Sequence, residues 1–277
     1  MILVTGASGN VGRCVVRLLH EAGRPVRALT RGTRDTDFPA DVEYVQGDLR
    51  EPETLAGAFD GVERMFLFTP PAGPGAMAKA AHASGVRHAV LLSSIVTQKA
   101  DPGTNPIAAR HCAAEQAVVA SGLSWTFLRP DTFASNALEW AGSIRAEGIV
   151  RAAFGLSRRC PIHEQDVAAV AALALLESGH DGASYWLTGP KSVTIVDQVE
   201  AISRAVGKPI LFEELTRDEA LELAVGKMPK AAAERLLDYA ARSVDAPPPT
   251  TDTVERLLRR AALPFDQWAR DHVGSFT

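Results

Sequence analysis

The sequence predicts an α/β protein: a doubly wound parallel sheet followed by a smaller, helix-rich C-terminal lobe. Three observations carry the prediction. The chain opens on an apolar run of strand length that ends in glycines spaced G-x-x-G-x-x-G (Gly6, Gly9, Gly12), with an amphipathic helix pattern directly behind. Short apolar runs then alternate with helical stretches at intervals of roughly 20–30 residues, the rhythm of strand–helix–strand units. From residue 131 the rhythm loosens, and beyond 195 it is mostly helical. The expected domains are therefore 1–130 and a lobe over 131–277, partly interleaved with the first.

Each element has its local reason. The first strand is Ile2-Leu3-Val4-Thr5, and Val11, Val15, Leu18 and Leu19 of the next stretch recur at helical spacing. Arg24-Pro25 marks a turn before the strand 26–30, and 42–46 alternates as a third strand closed by Gly47-Asp48-Leu49. Pro52 suits the first turn of a helix over 52–59, because the amide it lacks would be unpaired there. Met65-Phe66-Leu67-Phe68 is wholly apolar, as a parallel strand covered on both faces should be. The stretch 69–74 breaks regular structure; a helix over 75–84, a strand over 88–93, a helix over 106–120 and a strand over 125–128 follow. In the second half the pattern predicts helices over 131–147, 164–177, 195–206, 216–225, 229–242, 252–260 and 264–272. Strands are expected over 148–153, 183–187 and 209–212.

The opening glycines form a dinucleotide cradle. Gly6 permits a tight turn, Gly9 lets backbone approach a pyrophosphate, and Gly12 allows close helix packing. Ser8, Asn10 and Val11 complete the loop and first helical turn, whose unpaired amides and positive dipole end favour phosphate. After the second strand, an acid would select NAD through its ribose hydroxyl. Here the chain reads Thr30-Arg31 with Arg34 close behind, and a guanidinium suits a 2′-phosphate, so the expected cofactor is NADPH over NADH. Asp48 either accepts from an adenine amino group or simply forms a turn after Gly47. Leu49 beside it, Thr69 and Pro70 after the fourth strand, and Pro130 after the sixth join the expected cofactor-binding set. Ser93 and Ser94 end the fifth strand, where serines either orient a carbonyl or cap the strand.

Composition narrows the function classes. The 277 residues carry a net charge of −4 with 22% charged side chains, which provides no basic face for nucleic acid. Cys14, Cys112 and Cys160 are sparse and form no C-x-x-C pair, so free thiols are expected and neither a disulfide frame nor a metal site. The first strand begins at residue 2, so no targeting segment is expected, and the apolar run 167–176 is too short to cross a bilayer. A soluble cytoplasmic protein is expected, with a small-molecule acceptor as partner and a homodimer allowed for.

The glycine spacing, Gly47-Asp48-Leu49, the Ser93-Ser94 strand end, Leu128-Arg129-Pro130, the stretch 161–168 and Tyr185-Trp186-Leu187-Thr188-Gly189-Pro190 resemble one family. The chain looks like an atypical short-chain dehydrogenase/reductase of the NmrA-like, NAD(P)H-binding group, whose sheet is of the Rossmann type. The resemblance implies an NADPH-dependent reductase similar to quinone and dye reductases, or a cofactor-sensing regulator that performs no chemistry. One departure stands out. Typical members of the wider superfamily carry Tyr-x-x-x-Lys on the helix after the serine strand, where the lysine readies the tyrosine to pass a proton. With Glu115 as anchor, the lysine position holds His111 and the tyrosine position Ile107, so the dyad is absent. His111 is expected to bind the nicotinamide ribose, to donate a proton near neutral pH, or to pair with Glu115 one helical turn on. Without a relay, the reaction that fits is hydride transfer to a flat conjugated acceptor such as a quinone, enone or dye. Ser94 and His111 are the candidate catalytic groups, and Phe133, Asn136 and Trp140 the candidate acceptor contacts. His163 and Asp166 read better as structural residues at a helix start than as an acid–base pair.

Overall fold

A computed structural model describes residues 1–32, 38–55, 57–69 and 74–277. The strands in chain order are β1 (Ile2–Thr5), β2 (Val26–Thr30), β3 (Glu43–Gln46), β4 (Arg64–Phe68), β5 (His88–Leu92) and β6 (Ser124–Pro130). They continue as β7 (Ile149–Ala152), β8 (Arg158–Arg159), β9 (Ala183–Leu187), β10 (Val193–Thr194) and β11 (Leu211–Glu214). The helices are α1 (Asn10–Glu21), α2 (Pro74–Ala83), α3 (Val96–Lys99), α4 (Pro106–Ala120), α5 (Ala141–Glu147) and α6 (Glu164–Leu176). After them come α7 (Ile195–Val206), α8 (Arg217–Val225), α9 (Lys230–Asp245), α10 (Thr253–Leu258) and α11 (Phe265–Asp271).

The chain forms two compact units. The first holds Met1–Asp131, Glu164–Leu187 and Thr253–Arg260, the second Thr132–His163, Thr188–Asp252 and Ala261–Thr277. In the first unit seven strands make one sheet in the order β3-β2-β1-β4-β5-β6-β9, every pair parallel. The order reverses direction beside β1, and a doubly wound sheet takes its ligand at that point, beyond the carboxyl ends of the strands. Every residue of β1, β2 and β5 is buried, as strands covered on both faces must be. Leu3, Leu67, Leu91 and Phe127 line one core together with Met77, Ala81, Ala114 and Val118 of α2 and α4. α1 packs beside α6, a helix apolar nearly all round, which also contacts β4, β5 and β6.

A charge sits inside this sheet without an apolar alternative. Arg27, the second residue of β2, meets Glu43 through Nε (2.9 Å) and Nη2 (3.1 Å), and its Nη1 donates to the carbonyls of Gly57, Ala58 and Asp60. The bonds from all three guanidinium nitrogens are what make its burial tolerable. It also ties the 57–60 turn to the strand.

Several expected elements are corrected. The helix expected over 52–59 is one 3-10 turn, Pro52–Leu55, and Gly57 follows at φ +78°, a conformation no helix continues through. The helix expected over 131–147 begins later, as a 3-10 segment Ala134–Trp140 leading into α5. Before it, Phe133 is extended and bridges Ile162. The strand expected over 209–212 is shifted to β11, because Pro209 has no amide; the ladder with β7 starts where Leu211 N–H donates to Gly148 O. β9 extends the main sheet beside β6. The short α3, β8 and β10 had no local signal.

The second unit has its own core around Trp268, fully buried with Phe265, Phe276, Val199 and Ile202. Capping boxes start α7 (Thr194 with Asp197) and α8 (Thr216 with Glu219). Among the described residues no helix is long and apolar enough to cross a membrane, and no cluster of His, Cys, Asp and Glu could hold a metal ion.

Candidate dinucleotide site

The glycine loop lies between β1 and α1. Gly6 has φ +61°, which glycine adopts without strain, and a Cβ there would press on the Phe68 side chain at 3.2 Å. Gly12 is the strictest position: a Cβ on it would stand 2.1 Å from the Gly6 carbonyl oxygen. Its closest constraint is the loop backbone, so the glycine lets the first turn of α1 fold back onto the turn that feeds it. Gly9 is the N-cap, with extended backbone and no side-chain cap, and its N–H donates to Gly6 O at 3.0 Å. No acid stands in the first turn of α1, and Ser8, Gly9 and Asn10 are exposed. The twelve-residue helix therefore offers amides and a positive dipole end with no built-in anion to satisfy them. A loop with no room for a side chain at Gly12, ahead of an uncapped N-terminus, fits the diphosphate of a dinucleotide. Val11 faces inward and belongs to the core.

Next to the loop, β2 and β3 end side by side. Gly47 N–H donates to Thr30 O at 2.9 Å, and the Gln46 side-chain amide donates to Arg31 O at 3.1 Å. The Tyr44 hydroxyl donates to Gly32 O, and Thr30 Oγ1 reaches the same carbonyl at 3.1 Å. The backbone of Arg31 and Gly32 is thus held on both sides, while the Arg31 side chain is exposed and makes no hydrogen bond among the described residues. Arg34 lies outside the described residues. Asp48 is engaged locally: it accepts the Arg50 N–H (2.9 Å) and Arg50 Nε (3.0 Å). The Arg50 bonds, with a smaller contribution from Arg31, hold its carboxyl down at about 2. The Leu49 side chain packs in the core.

At the ends of β4, β5 and β6 a buried polar network takes over. Thr69 Oγ1 donates to Leu92 O at 2.5 Å and lies 3.1 Å from His111 Nδ1. Since the threonine proton is committed, Nδ1 carries the ring proton and donates to Thr69, and Nε2 turns its lone pair to Arg110 Nη2 at 3.4 Å. Burial foremost, then Arg110, press the imidazole down to about 4 against the opposing pull of Glu115. That environment favours the neutral ring at pH 7. The expected pairing with Glu115 is corrected. That carboxylate accepts Ser93 Oγ (2.6 Å), Arg129 Nε (2.9 Å) and Arg129 Nη2 (2.7 Å), because the guanidinium fork from β6 matches both its oxygens. Glu115 so brackets α4 against the ends of β5 and β6, and the Ser93 hydroxyl is spent on it. Ser94 accepts the Val96 N–H at 3.3 Å just before α3, and its hydroxyl donates to no partner among the described residues. Pro130 is buried at the end of β6, its carbonyl taken by Ile95 N–H. Pro70 lies outside the described residues.

The tyrosine position is equally informative. Ile107 is 52% exposed on the first turn of α4, whereas His111 and Glu115 of the same stripe are buried. Tyr44, Tyr185 and Tyr239 are followed four residues later by Asp48, Gly189 and Ser243, so no Tyr-x-x-x-Lys occurs anywhere in the chain. In the second unit Phe133 and Trp140 are half-buried and Asn136 is exposed along the 3-10 segment. His163 Nε2 lies 3.2 Å from Asp271, and Asp166 meets Arg260 at 2.7 Å, both in structural roles. Sequence reasoning placed Phe68 at a strand end but missed its 46% exposed side chain beside Gly6, and it missed the Arg129–Glu115 bracket. The alternation of Tyr44, Val45 and Gln46, which turns the first and last to one face, was the signal for the Arg31 clamp.

Comparison with known proteins agrees with this geometry. A family model described as NAD(P)H-binding matches residues 6–178. The whole chain is 42% identical over 281 residues to a (4-alkanoyl-5-oxo-2,5-dihydrofuran-3-yl)methyl phosphate reductase of Streptomyces griseus subsp. griseus, spanning 99% of that protein. It is 34% identical over 292 residues to an NAD(P)H azoreductase of Xenophilus azovorans, again spanning 99% of it. Among solved structures, Citrobacter sp. triphenylmethane reductase complexed with NADP(H) superposes with a TM-score of 0.79 over 99% of this chain and 100% of that one. At 24% identity that likeness speaks for the fold. With the glycine cradle, the uncapped helix and a family match over more than half its length, the chain belongs to the NAD(P)H-binding family.

Proposed function

We propose that this NAD(P)H-dependent reductase uses NADPH in preference to NADH and reduces a flat conjugated acceptor such as a quinone, an enone or a dye. The observation that carries the acceptor class is the vacancy of acid chemistry on α4: an exposed isoleucine at one relay position and a neutral, Nδ1-protonated histidine at the other. An isolated ketone needs a proton as it is reduced, whereas a conjugated acceptor spreads the developing charge and needs none from the protein at that moment. When bound, the nicotinamide supplies the hydride. The chain's own residues position it: the Gly6–Gly12 loop and the start of α1 hold the diphosphate, and Arg31 meets the 2′-phosphate. Thr69, Ser93 and Pro130 shape the far end, and Ser94 offers an uncommitted hydroxyl to an acceptor oxygen. Phe133 and Trp140 are assigned to stack on the acceptor and Asn136 to contact its polar edge. The names of the full-length relatives, an azoreductase and a reductase of an acyl-dihydrofuranone phosphate, support a conjugated acceptor.

NADPH oxidation at 340 nm against a panel of quinones, cyclic enones, and azo and triphenylmethane dyes tests this reading. Turnover with at least one conjugated acceptor, and none with simple ketones, is expected. Tight NADPH binding with no turnover across the panel overturns it in favour of a cofactor-sensing regulator.

A further inference from the structure

The ends of β2 and β3 place opposite charges next to each other. Thr30 pairs with Gln46 in a parallel register, so the two strands deliver Arg31 and Asp48 to the same sheet end. The backbones there are locked together by Gly47 N–H to Thr30 O and by the Gln46 amide to Arg31 O. Asp48 is as firmly held: its N–H donates to Thr54 Oγ1 at 2.9 Å, and its carboxylate accepts from the Arg50 backbone. A bare carboxylate at that point would repel a 2′-phosphate, which carries close to two negative charges at neutral pH. A carboxylate in this corner works against a 2′-phosphate by charge, as the acid that selects NAD does from the end of the second strand. Arg50 removes the conflict. Its Nε and Nη2 close a fork on Asp48 at 2.5–3.1 Å, and Thr54, Glu51 and Asp48 fold the 48–54 turn that presents it.

We infer that Arg50 is a specificity-determining residue acting through Asp48: it neutralises the carboxylate beside Arg31, so that Arg31 is the net charge a dinucleotide meets there. The inference rests on the reading that Arg31 selects NADPH. Asp48 remains able to accept from an adenine amino group with its outer lone pairs, a contact common to both dinucleotides. The acidic residue tolerated beside a phosphate site is therefore an electrically silent one, and the Arg50–Asp48 pair preserves the ratio of NADPH to NADH affinity that Arg31 sets.

Binding of NADPH and of NADH, each titrated by isothermal calorimetry without any acceptor, tests this in the full-length protein. Arg50→Leu should lower the NADPH-to-NADH affinity ratio by about fivefold, as expected for one uncompensated charge in a solvated site. The loss should shrink in 0.5 M salt, where screening shortens the reach of the charge. Adding Asp48→Asn to Arg50→Leu should restore the ratio, and Arg50→Lys should largely keep it. An Arg50→Leu protein with the wild-type ratio overturns the inference. So does a loss that Asp48→Asn fails to restore, since Arg50 would then touch the phosphate itself. If the wild-type protein binds both dinucleotides equally, the NADPH reading falls and this inference with it. If Arg50→Leu does not fold, Asp48→Asn alone decides, with a ratio at or above wild type expected and a lower one overturning the inference.

Discussion

Replacing Gly12 with alanine strains the cradle where it has least room. A Cβ at this position would sit 2.1 Å from Gly6 O, 2.8 Å from Gly6 C and 2.9 Å from Ala7 Cα, while real Cβ contacts essentially never fall under 3.0 Å. About 0.9 Å must therefore come from backbone, since no flexible side chain is among the neighbours. α1 cannot back away freely, because Val15, Val16 and Leu19 anchor it in the core. Overpacking of this kind costs about 1–3 kcal/mol. In a chain of this size that corresponds to a melting temperature lower by roughly 2–12 °C. The displaced first turn should also bind NADPH at least about tenfold more weakly, because its amides no longer converge. Gly9→Ala is the matched control. Its nearest contact is 3.2 Å and its φ is −78°, so alanine asks the Gly6 carbonyl to give by only a few tenths of an ångström and should cost less stability than Gly12→Ala, while its methyl group stands in the exposed loop proposed to hold the diphosphate. Thermal denaturation and NADPH fluorescence titration of both variants separate folding from binding. A Gly12→Ala protein that melts within 1 °C of wild type and binds NADPH equally well would falsify the packing account of this glycine.

Three further outcomes follow from the site. Arg31→Ala should weaken NADPH by about tenfold and NADH by less than twofold in the same titration if, as proposed, the guanidinium meets the 2′-phosphate that NADH lacks; equal losses contradict the assignment. Glu115→Gln breaks a bidentate pair whose side chains are 11% and 17% exposed. Leaving Arg129 uncompensated there should cost about 3 kcal/mol in urea unfolding, and an unchanged midpoint would refute the bracket. His111 sits at about 4 folded and 6.5 unfolded, so acidification protonates the unfolded chain first and withdraws stability between those values. Between pH 7 and pH 5 the wild type should lose about 2 kcal/mol that His111→Gln does not lose, and parallel losses in both proteins would show the ring to be less buried than described.

Much of the fold was legible because its signals are local. The strands of a parallel sheet covered on both faces read as short apolar runs, and 26–30, 183–187 and 106–120 match β2, β9 and α4 to the residue. Asn105 caps α4 through its side chain and Pro106 opens it, a start written in two adjacent residues. The elements that shifted were decided at a distance. Gly57 adopts its left-handed turn under the carbonyl contacts of Arg27, thirty residues earlier. The β8–β10 pair joins two-residue segments 34 positions apart, too short for any periodicity to show. In the site, the serines and the histidine were visible as residue types, but their commitments were not. Ser93 is claimed by Glu115 and Glu115 by Arg129, while His111 turns to Thr69, 42 residues away in sequence.

The sequence by itself determined that this chain builds a dinucleotide cradle and carries no Tyr-x-x-x-Lys relay, since glycine spacing and residue identity are one-dimensional facts. Only the tertiary structure decided what the remaining polar groups can do there. Protonation and charge are set by burial and by partners that the fold brings together: an imidazole that would titrate near neutrality in an exposed helix is pressed down to about 4 behind Thr69 and Arg110, and the Asp48 carboxylate is held by the Arg50 fork.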